Sequence, residues 1–210
     1  MKYIISLAAL LLFMQLALAQ DVEDIIEDVQ ETYDDVDDMS AQFKKIESFK
    51  ITGTVNETVG KIYIKDGTMY RFESEDQTIV TNGKTVWTYN GITKQVIIDN
   101  VREDSGALLP RDMLFKYPKE YYSTLLKEEE IDGMKMYVVK LDPRDNVHGY
   151  VKSMKIWVDD DDYYIHRIET TDLNDNISKF EISNIKVNTN LKEDFFTFKA
   201  APEMQVVDMR

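Results

Sequence analysis

The sequence contains no cysteine and only two histidines. Without cysteine the chain forms no disulfide, no thiolate metal site and no cysteine-linked lipid anchor. His148 lies in a predicted loop and His166 in a predicted strand, so the two lack the helical or short-loop spacing of a zinc site. We therefore expect no metal centre and no cofactor.

Basic residues are few: 25 Lys and Arg stand against 39 Asp and Glu, which gives a net charge of −14. This balance argues against nucleic acid as a partner, because affinity for phosphates comes from Lys and Arg. It also argues against stable docking on an anionic bilayer surface. A high acidic charge is typical of a protein that stays dissolved and does not self-associate, and we expect a monomer.

The motifs of common catalytic sites are also missing. The sequence has no glycine-rich phosphate loop, no nucleophile elbow and no Ser/His/Asp spacing. The run Asp159–Asp162 is the one feature that suggests calcium, but calcium loops place carboxylates at alternating positions with a glycine and a distant Glu. The run is instead predicted to be a solvated turn. We expect no enzymatic activity.

The first nineteen residues have the pattern of a signal peptide. Lys2 gives the positive start, an apolar stretch follows from Ile4, and Ala17-Leu18-Ala19 fits the small-x-small cleavage site. A membrane anchor would need roughly 18 or more consecutive apolar residues, and Gln15 interrupts this stretch. We therefore predict export to the periplasm, cleavage after Ala19 and a single domain over residues 20–210.

The domain is predicted to begin with an amphipathic helix over Asp21–Met39. Ile26, Val29, Tyr33 and Val36 recur at helical spacing, and acidic residues fill the other face. From Met39 the apolar period changes to two, which predicts a strand.

Most of the remaining sequence alternates in the manner of β-strands. Asp66-Gly67, Asn82-Gly83 and Asn90-Gly91 are strong hairpin signals and predict an antiparallel meander. A proline-bracketed segment over Asp104–Tyr122 predicts a short helical excursion. Further strands are predicted over Tyr137–Leu141, Val151–Val158, Tyr163–Thr170, Ser178–Val187 and Gln205–Asp208.

Large apolar groups are abundant: twelve Tyr, nine Phe, two Trp and ten Met. Methionine and aromatic side chains adapt to ligands of variable shape, but they also fill ordinary cores. Composition alone leaves both readings open.

Four segments resemble the outer-membrane lipoprotein carrier (LolA) family. Residues 79–90 read IVTNGKTVWTYN, which is similar to the family's strand, [DN]-G-K-T turn and aromatic strand. The C-terminal part of the sequence also resembles the C-terminal pattern of the family. It reads Asp194-Phe195-Phe196-Thr197-Phe198, followed by Pro202 and Val206-Val207-Asp208. Residues 61–72 and 36–43 are similar to the family's strand-turn-strand and its helix-to-strand junction. The resemblance implies a mostly β fold, an unclosed antiparallel β-barrel covered by a helical lid.

The resemblance also implies a function. Members of the family receive lipoproteins from an inner-membrane ABC-type releasing complex, shelter their acyl chains, and deliver them to an acceptor at the outer membrane. Three alternatives remain open: a carrier or sensor of free lipids or glycolipids, an enzyme acting on a lipid-like substrate, and an adhesion-type sandwich without a ligand.

Site residues follow from the resemblance position by position. The acyl-chain cavity corresponds to Tyr33, Val36, Met39, Phe43, Tyr70 and Phe72, and less closely to Leu109, Met113, Leu114 and Phe115 in the central segment.

The lid latch departs from the family pattern. Asp66 occupies the position of a family arginine that holds the lid, and a carboxylate accepts hydrogen bonds without donating them. Arg71 is the alternative latch, although strand alternation puts it opposite Tyr70 and Phe72.

Overall fold

A computed structural model describes residues 22–101, 121–144 and 151–210. Within these ranges the chain forms one α-helix, α1, over Val22–Asp34, and one 3₁₀-helix over Glu193–Phe196. The strands are β1 Asp38–Ser48, β2 Val55–Lys65, β3 Met69–Ser74, β4 Gln77–Thr81, β5 Thr85–Asn90, β6 Gln95–Asn100, β7 Tyr121–Ile131, β8 Met134–Pro143, β9 Val151–Asp159, β10 Ile165–Asp172, β11 Ile177–Val187 and β12 Gln205–Asp208.

All twelve strands join one sheet in the order β12-β6-β5-β4-β3-β2-β1-β11-β10-β9-β8-β7. β12 and β7 form its two edges, so the sheet is unclosed. Neighbouring strands pair antiparallel except at one edge, where β12 runs parallel to β6 with Val206 opposite Val96. The predicted fold, mostly β with an unclosed antiparallel sheet and a helix, is confirmed. The parallel last strand was not predicted.

The three predicted hairpin turns are confirmed. Asp66 and Gly67 both have positive φ, 49° and 57°, within the three-residue loop between the paired residues Lys65 and Met69. The side-chain oxygens of Asn82 and Asn90 each accept hydrogen bonds from the backbone N–H groups two and three residues later, at 2.9–3.1 Å. Local turn chemistry therefore sets the register of β2 to β6.

The predicted end of the helix is wrong. α1 stops at Asp34, and β1 has already begun at Asp38, opposite Lys65 of β2. Val36 continues the apolar spacing of α1 beyond its true end, so the pattern overestimates the helix. Pairing with β2 overrides that local preference.

Strand β7 was not predicted. The helical prediction over Asp104–Tyr122 lies outside the described residues except for Tyr121 and Tyr122, which begin β7. The later part of the strand carries Lys127 and three consecutive Glu, which hide its alternation. Charged residues suit this strand because it is a sheet edge, where they oppose pairing with other chains.

The sheet has two faces, which we call the helix side and the opposite face. α1 buries Ile25, Ile26, Val29 and Tyr33 against the helix side. There they join the main apolar cluster of the described residues, whose sheet members include Met39, Ala41, Phe43, Ile62, Ile64, Tyr70, Val139, Leu141, Met154, Ile156, Val158, Ile165 and Ile168. In the described part of the chain, no helix has the length and apolar character needed to cross a membrane.

The segment after β11 covers the opposite face over β2 to β6. Phe196 is fully buried there, Phe195 meets the Tyr63 ring at 4.8 Å, and Phe198 stacks on Tyr89 at 5.5 Å. This C-terminal cover ends in β12, whose backbone pairs with β6. The phenylalanines that close the sequence thus build a second small core.

Asp38 anchors the point where the chain crosses to this face. Its carboxylate accepts hydrogen bonds from the backbone and hydroxyl of Thr189, both at 2.9 Å, and from the backbone of Leu191 at 3.0 Å. The residue is only 2 % exposed. Burial favours the neutral acid, yet these hydrogen bonds outweigh it and hold the pKa of Asp38 below its usual value.

We expect Asp38→Asn to lower the free energy of unfolding by about 1–3 kcal/mol at neutral pH. The amide nitrogen of Asn is itself a hydrogen-bond donor, so it would face the N–H groups that now donate to the Asp38 carboxylate. The native carboxylate has a depressed folded pKa, so its contribution is complete above the ordinary pKa of about 4 and is lost as pH falls through the folded value.

The measurement is urea unfolding of both proteins from pH 7 to pH 3. The stability gap between native protein and variant should narrow below about pH 4. A gap that stays constant over this range would rule out the ionised carboxylate as the anchor.

Candidate ligand-binding surface

Three phenylalanines from three strands form an aromatic floor on the helix side. Phe43 of β1 stacks on Phe72 of β3, with ring centroids 4.3 Å apart and planes 20° apart. Phe180 of β11 lies 6.4 Å from Phe43 on the other side. These rings form an apolar layer on the sheet in which Phe43 is buried and Phe72 and Phe180 are partly buried.

Gly60 on β2 makes this floor possible. β2 separates the strands of Phe43 and Phe72, and Gly60 is the residue opposite Phe43. A Cβ at Gly60 would lie 2.6 Å from the Phe43 ring and 2.0 Å from the backbone oxygen of Glu73. Both distances are far below van der Waals contact, so a glycine lets the Phe43 ring cross β2 and reach Phe72.

Tyr33 joins α1 to the sheet at the far side of the same face. Its hydroxyl accepts a hydrogen bond of 3.1 Å from the backbone N–H of Ile165, and its ring meets Tyr164 edge-on at 5.8 Å. Burial raises the pKa of the Tyr33 hydroxyl well above its usual value. The hydroxyl therefore stays neutral, which suits a surface that binds apolar groups.

The opposite face near β7 to β11 has a different chemistry. Arg167 lies over the Trp157 ring at 5.1 Å and faces Glu181 at 3.6 Å, while Lys179 contacts Glu181 at 2.8 Å. Arg167, Trp157 and Glu181 line an open groove of about 750 Å³ together with Met136. Its lining also includes Phe43, Ile131, Met134 and Ile182, so the groove combines apolar side chains with the charged Arg167 and Glu181.

The acidic run at the β9–β10 turn behaves as a turn. The Asp159 carboxylate accepts hydrogen bonds from the backbone of Asp161 at 2.8 Å and of Asp162 at 3.2 Å. Among the residues that the structure describes, no group of three or more His, Asp or Glu side chains is placed to hold a metal ion.

With this geometry in view, comparison with known proteins identifies the family. The sequence profile of the family described as outer membrane lipoprotein carrier protein LolA matches residues 34–199, well over half of the sequence. The chain belongs to this family. An outer-membrane lipoprotein carrier protein from Francisella philomiragia is 24 % identical over 213 residues, which cover 99 % of this chain and 98 % of that protein.

Solved structures agree on the fold of this LolA-family chain. An uncharacterized conserved protein from Thermus thermophilus has a TM-score of 0.59 at 16 % identity, covering 90 % of this chain and 99 % of its own. MucB has a TM-score of 0.55 at 16 % identity, covering 90 % of this chain and 66 % of its own. At these identities the likeness concerns the fold alone.

Six of the predicted cavity residues lie together on the helix side of the LolA-family sheet. Tyr33, Met39, Phe43 and Tyr70 are buried in its apolar cluster, and Val36 and Phe72 pack against it, partly buried. Leu109, Met113, Leu114 and Phe115 lie outside the described residues. The assignment of all ten to an acyl-chain cavity stays a prediction.

The two latch candidates lie in different places. Asp66 is exposed in the β2–β3 turn, where its N–H donates to the Asp37 backbone oxygen at 2.9 Å. Arg71 lies on the opposite face: its guanidinium contacts Glu73 at 2.6 Å and the Phe195 backbone oxygen at 3.2 Å, and covers the Phe195 ring. Arg71 therefore fixes the C-terminal cover, and its proposed latch role on the helix side does not fit this position. Asp66 as a latch stays a prediction.

Sequence reasoning missed much of the same surface. Ile62 and Ile64 of β2, and Phe180 and Ile182 of β11, belong to the helix-side cluster or pack on it. Strand alternation would have found the β2 pair, since both share a face with the residues opposite them, Met39 and Ala41. A bulge between Ser40 and Gln42 shifts the β1–β11 register, and simple alternation does not reveal it.

We expect Gly60→Ala to destabilise the protein by about 1–3 kcal/mol, because the new methyl group overlaps the Phe43 ring and the neighbouring backbone. Gly91→Ala is the matched control, since a Cβ there has its nearest contact at 3.5 Å. Urea unfolding of the two variants checks this. Equal stability of both variants would contradict the proposed reason for glycine at position 60.

Proposed function

We propose that this chain is an exported carrier that binds the acyl chains of lipoproteins on its helix side and moves them from the inner to the outer membrane. The observation that carries the proposal is the aromatic floor of Phe43, Phe72 and Phe180 in a chain of the lipoprotein carrier family. The relative from Francisella philomiragia bears the name of such a carrier.

The physical task is to keep hydrocarbon out of water. Each buried methylene contributes about 0.8 kcal/mol, so a lipid anchor does not leave a bilayer without an apolar host. The aromatic floor and the aliphatic side chains around it supply that host. Stacked rings and branched chains make no directional demand on the ligand, which suits anchors that differ in length and saturation.

Export and the two delivery partners are part of the proposal. The N-terminal sequence has the features of a signal peptide with cleavage after Ala19. An inner-membrane ABC-type releasing complex would supply the cargo, and an outer-membrane acceptor would receive it.

Depletion of the protein in cells tests this assignment. Lipid-modified proteins should then accumulate in the inner membrane or periplasm, as measured by fractionation and mass spectrometry. An unchanged distribution would contradict the transport function.

A carrier or sensor of free lipids or glycolipids is the second candidate, because the same apolar surface accepts any acyl chain. Mass spectrometry of material that copurifies from native cells separates the two. Triacylated proteins support lipoprotein transport, whereas simple lipids alone support the second candidate.

A carrier has no reaction to catalyse, and the helix side fits that role. The buried Tyr33 hydroxyl is held by a hydrogen bond from Ile165. At the aromatic floor the Lys45 ammonium lies 5.5 Å from the Phe180 ring and is paired with Glu47. We therefore propose a non-enzymatic function.

We expect Phe72→Ala to weaken binding of a fluorescent fatty-acyl probe about tenfold, because the lost ring removes apolar contact area from the floor. Phe198→Ala is the matched control, since Phe198 stacks on Tyr89 on the opposite face. Fluorescence titration gives both affinities, and thermal unfolding confirms that the variants are folded. Equal losses in the two variants would argue against the helix side as the binding surface.

A further inference from the structure

Two loops lie side by side at one end of the sheet. The β1–β2 loop covers residues 49–54 and the β10–β11 loop covers residues 173–176. Ser48 pairs with Val55 on one side and with Ile177 on the other, so β1 brings both loops together. We call these loops, with the flanking Val55 and Ile177, the loop tip.

The loop tip exposes apolar side chains that the fold does not use. Ile51 is 87 % exposed, Leu173 65 % and Val55 61 %, and Phe49 and Ile177 are also exposed. Scattered exposed apolar residues are ordinary, but a contiguous group marks an interaction site. Three such residues on the two adjacent loops, with Val55 and Ile177 at the flanking ends of β2 and β11, form a group of this kind.

The two loops are held together rather than free. The backbone N–H of Lys50 donates to the Asn176 side chain at 3.0 Å, and Asp172 accepts hydrogen bonds from the backbone of Asn174 and Asn176 at 2.8 Å. The Lys50 and Lys152 ammonium groups both contact the Asp175 carboxylate, at 2.7 and 2.6 Å. A tip held in this way loses little conformational entropy when it binds.

The charge of the tip differs from that of the whole chain. Within the tip Lys50 balances Asp175, and beside it Lys152 of β9 balances Asp172 of β10, so the tip is electrically neutral in a protein of net charge −14. Hydrogen bonds from Lys152 and Lys50 lower the pKa of Asp175 to about 2, which keeps this carboxylate ionised and paired. The two lysines remain more than half exposed. The tip therefore does not repel lipid phosphates as the rest of the acidic surface does.

The chemistry of the tip matches a lipid bilayer better than a protein partner. Protein interfaces concentrate their binding energy in Trp, Tyr and Arg, whereas the apex here carries aliphatic Ile51 and Leu173. Aliphatic side chains flanked by lysines suit the boundary between headgroups and hydrocarbon, where the ammonium groups reach the phosphates. β1 ends at the tip and β11 begins there, and these strands also carry Phe43 and Phe180 of the aromatic floor.

We propose that the loop tip inserts Ile51 and Leu173 into the surface of a lipid bilayer and so brings the end of the helix-side surface to the membrane. A role of this membrane contact in cargo transfer rests on the proposed function. The membrane contact itself can be tested whether or not the proposed function is correct. Insertion by apolar residues predicts binding to neutral bilayers, in keeping with an acidic protein that avoids anionic surfaces.

Because the chain has no cysteine, single cysteines with an environment-sensitive dye report on individual positions. Ile51→Cys and Leu173→Cys test the tip. Met209→Cys is the matched control, since Met209 is 58 % exposed and follows β12 at the other end of the strands. On mixing the labelled protein with phosphatidylcholine vesicles, the dye at positions 51 and 173 should shift its emission to the blue and that at 209 should not.

The double change Ile51→Ser with Leu173→Ser should weaken vesicle binding about tenfold or more, measured by cosedimentation, whereas Met209→Ser should leave it unchanged. All these side chains are exposed, so thermal unfolding should be unaffected. Binding should persist when salt is raised, because it is apolar.

Several results would overturn the proposal. An unshifted dye at positions 51 and 173, or an equal shift at position 209, would show that the tip does not insert. Binding only to phosphatidylglycerol-containing vesicles at low salt would show that the contact is electrostatic. A defect of the double variant only on membranes that contain a partner protein would show that the tip binds a protein.

Fatty-acyl probe binding in solution is measured in parallel, which separates this proposal from the proposed function. The tip variants should lose vesicle binding and keep probe binding. The Phe72 variant should lose probe binding and keep vesicle binding, so either proposal can fail without the other.

Discussion

Side-chain alternation on an open twelve-stranded sheet is the constraint on which the rest of the structure depends. Every strand sends alternate residues to two faces. The helix side is apolar over much of the sheet, and the opposite face carries large apolar groups over β4 to β6, such as Val80, Trp87 and Val96, so each of these regions needs a cover. The chain supplies two covers from its two ends. α1 lies on one face with Ile25, Val29 and Tyr33, and the C-terminal segment lies on the other with Phe195, Phe196 and Phe198. An unclosed sheet thereby gains two cores.

The covers are attached in different ways, and this asymmetry has functional meaning. The C-terminal cover is tied down by backbone pairing of β12 with β6, by the hydrogen bonds of Asp38, and by Arg71 at the Phe195 backbone oxygen. α1 is joined to the sheet through side chains, with the Tyr33 hydroxyl bonded to Ile165 and the Thr32 hydroxyl to the Asp162 backbone oxygen. Side-chain contacts with a ligand can replace apolar contacts with a helix at little net cost, whereas a broken strand pair leaves backbone groups unsatisfied. This difference is consistent with our proposal that the helix side is the face that exchanges its cover for hydrocarbon.

Local signals predicted the parts of the fold that local chemistry controls. Asp66-Gly67, Asn82-Gly83 and Asn90-Gly91 determine their own turns, and the family resemblance supplied the overall fold. The features that the sequence did not predict depend on pairing between strands that are distant in sequence. The helix was predicted to continue through Val36, although β1 already pairs with β2 at Asp38. The Glu residues of β7 mask the alternation of a strand that lies at the sheet edge. The direction of β12 depends on the place where the chain crosses to the opposite face, which Asp38 anchors from 151 residues away.

The candidate surface was likewise predicted only in part. Phe43 and Phe72 were predicted, but the need for glycine at position 60 follows only from the pairing of β2 between their strands.

The charge distribution connects the two proposed contacts of the molecule. A carrier must release its cargo, so it cannot remain on a membrane, and a net charge of −14 limits adsorption to anionic surfaces. Hydrocarbon nevertheless has to pass between bilayer and protein without crossing water, which requires close approach. A small neutral tip on an otherwise acidic surface meets both demands, because a few aliphatic side chains give a brief contact that the surrounding charge keeps weak. The ion pairs of Asp175 with Lys50 and Lys152 keep the local charge of the tip near zero, whereas the rest of the chain is strongly acidic.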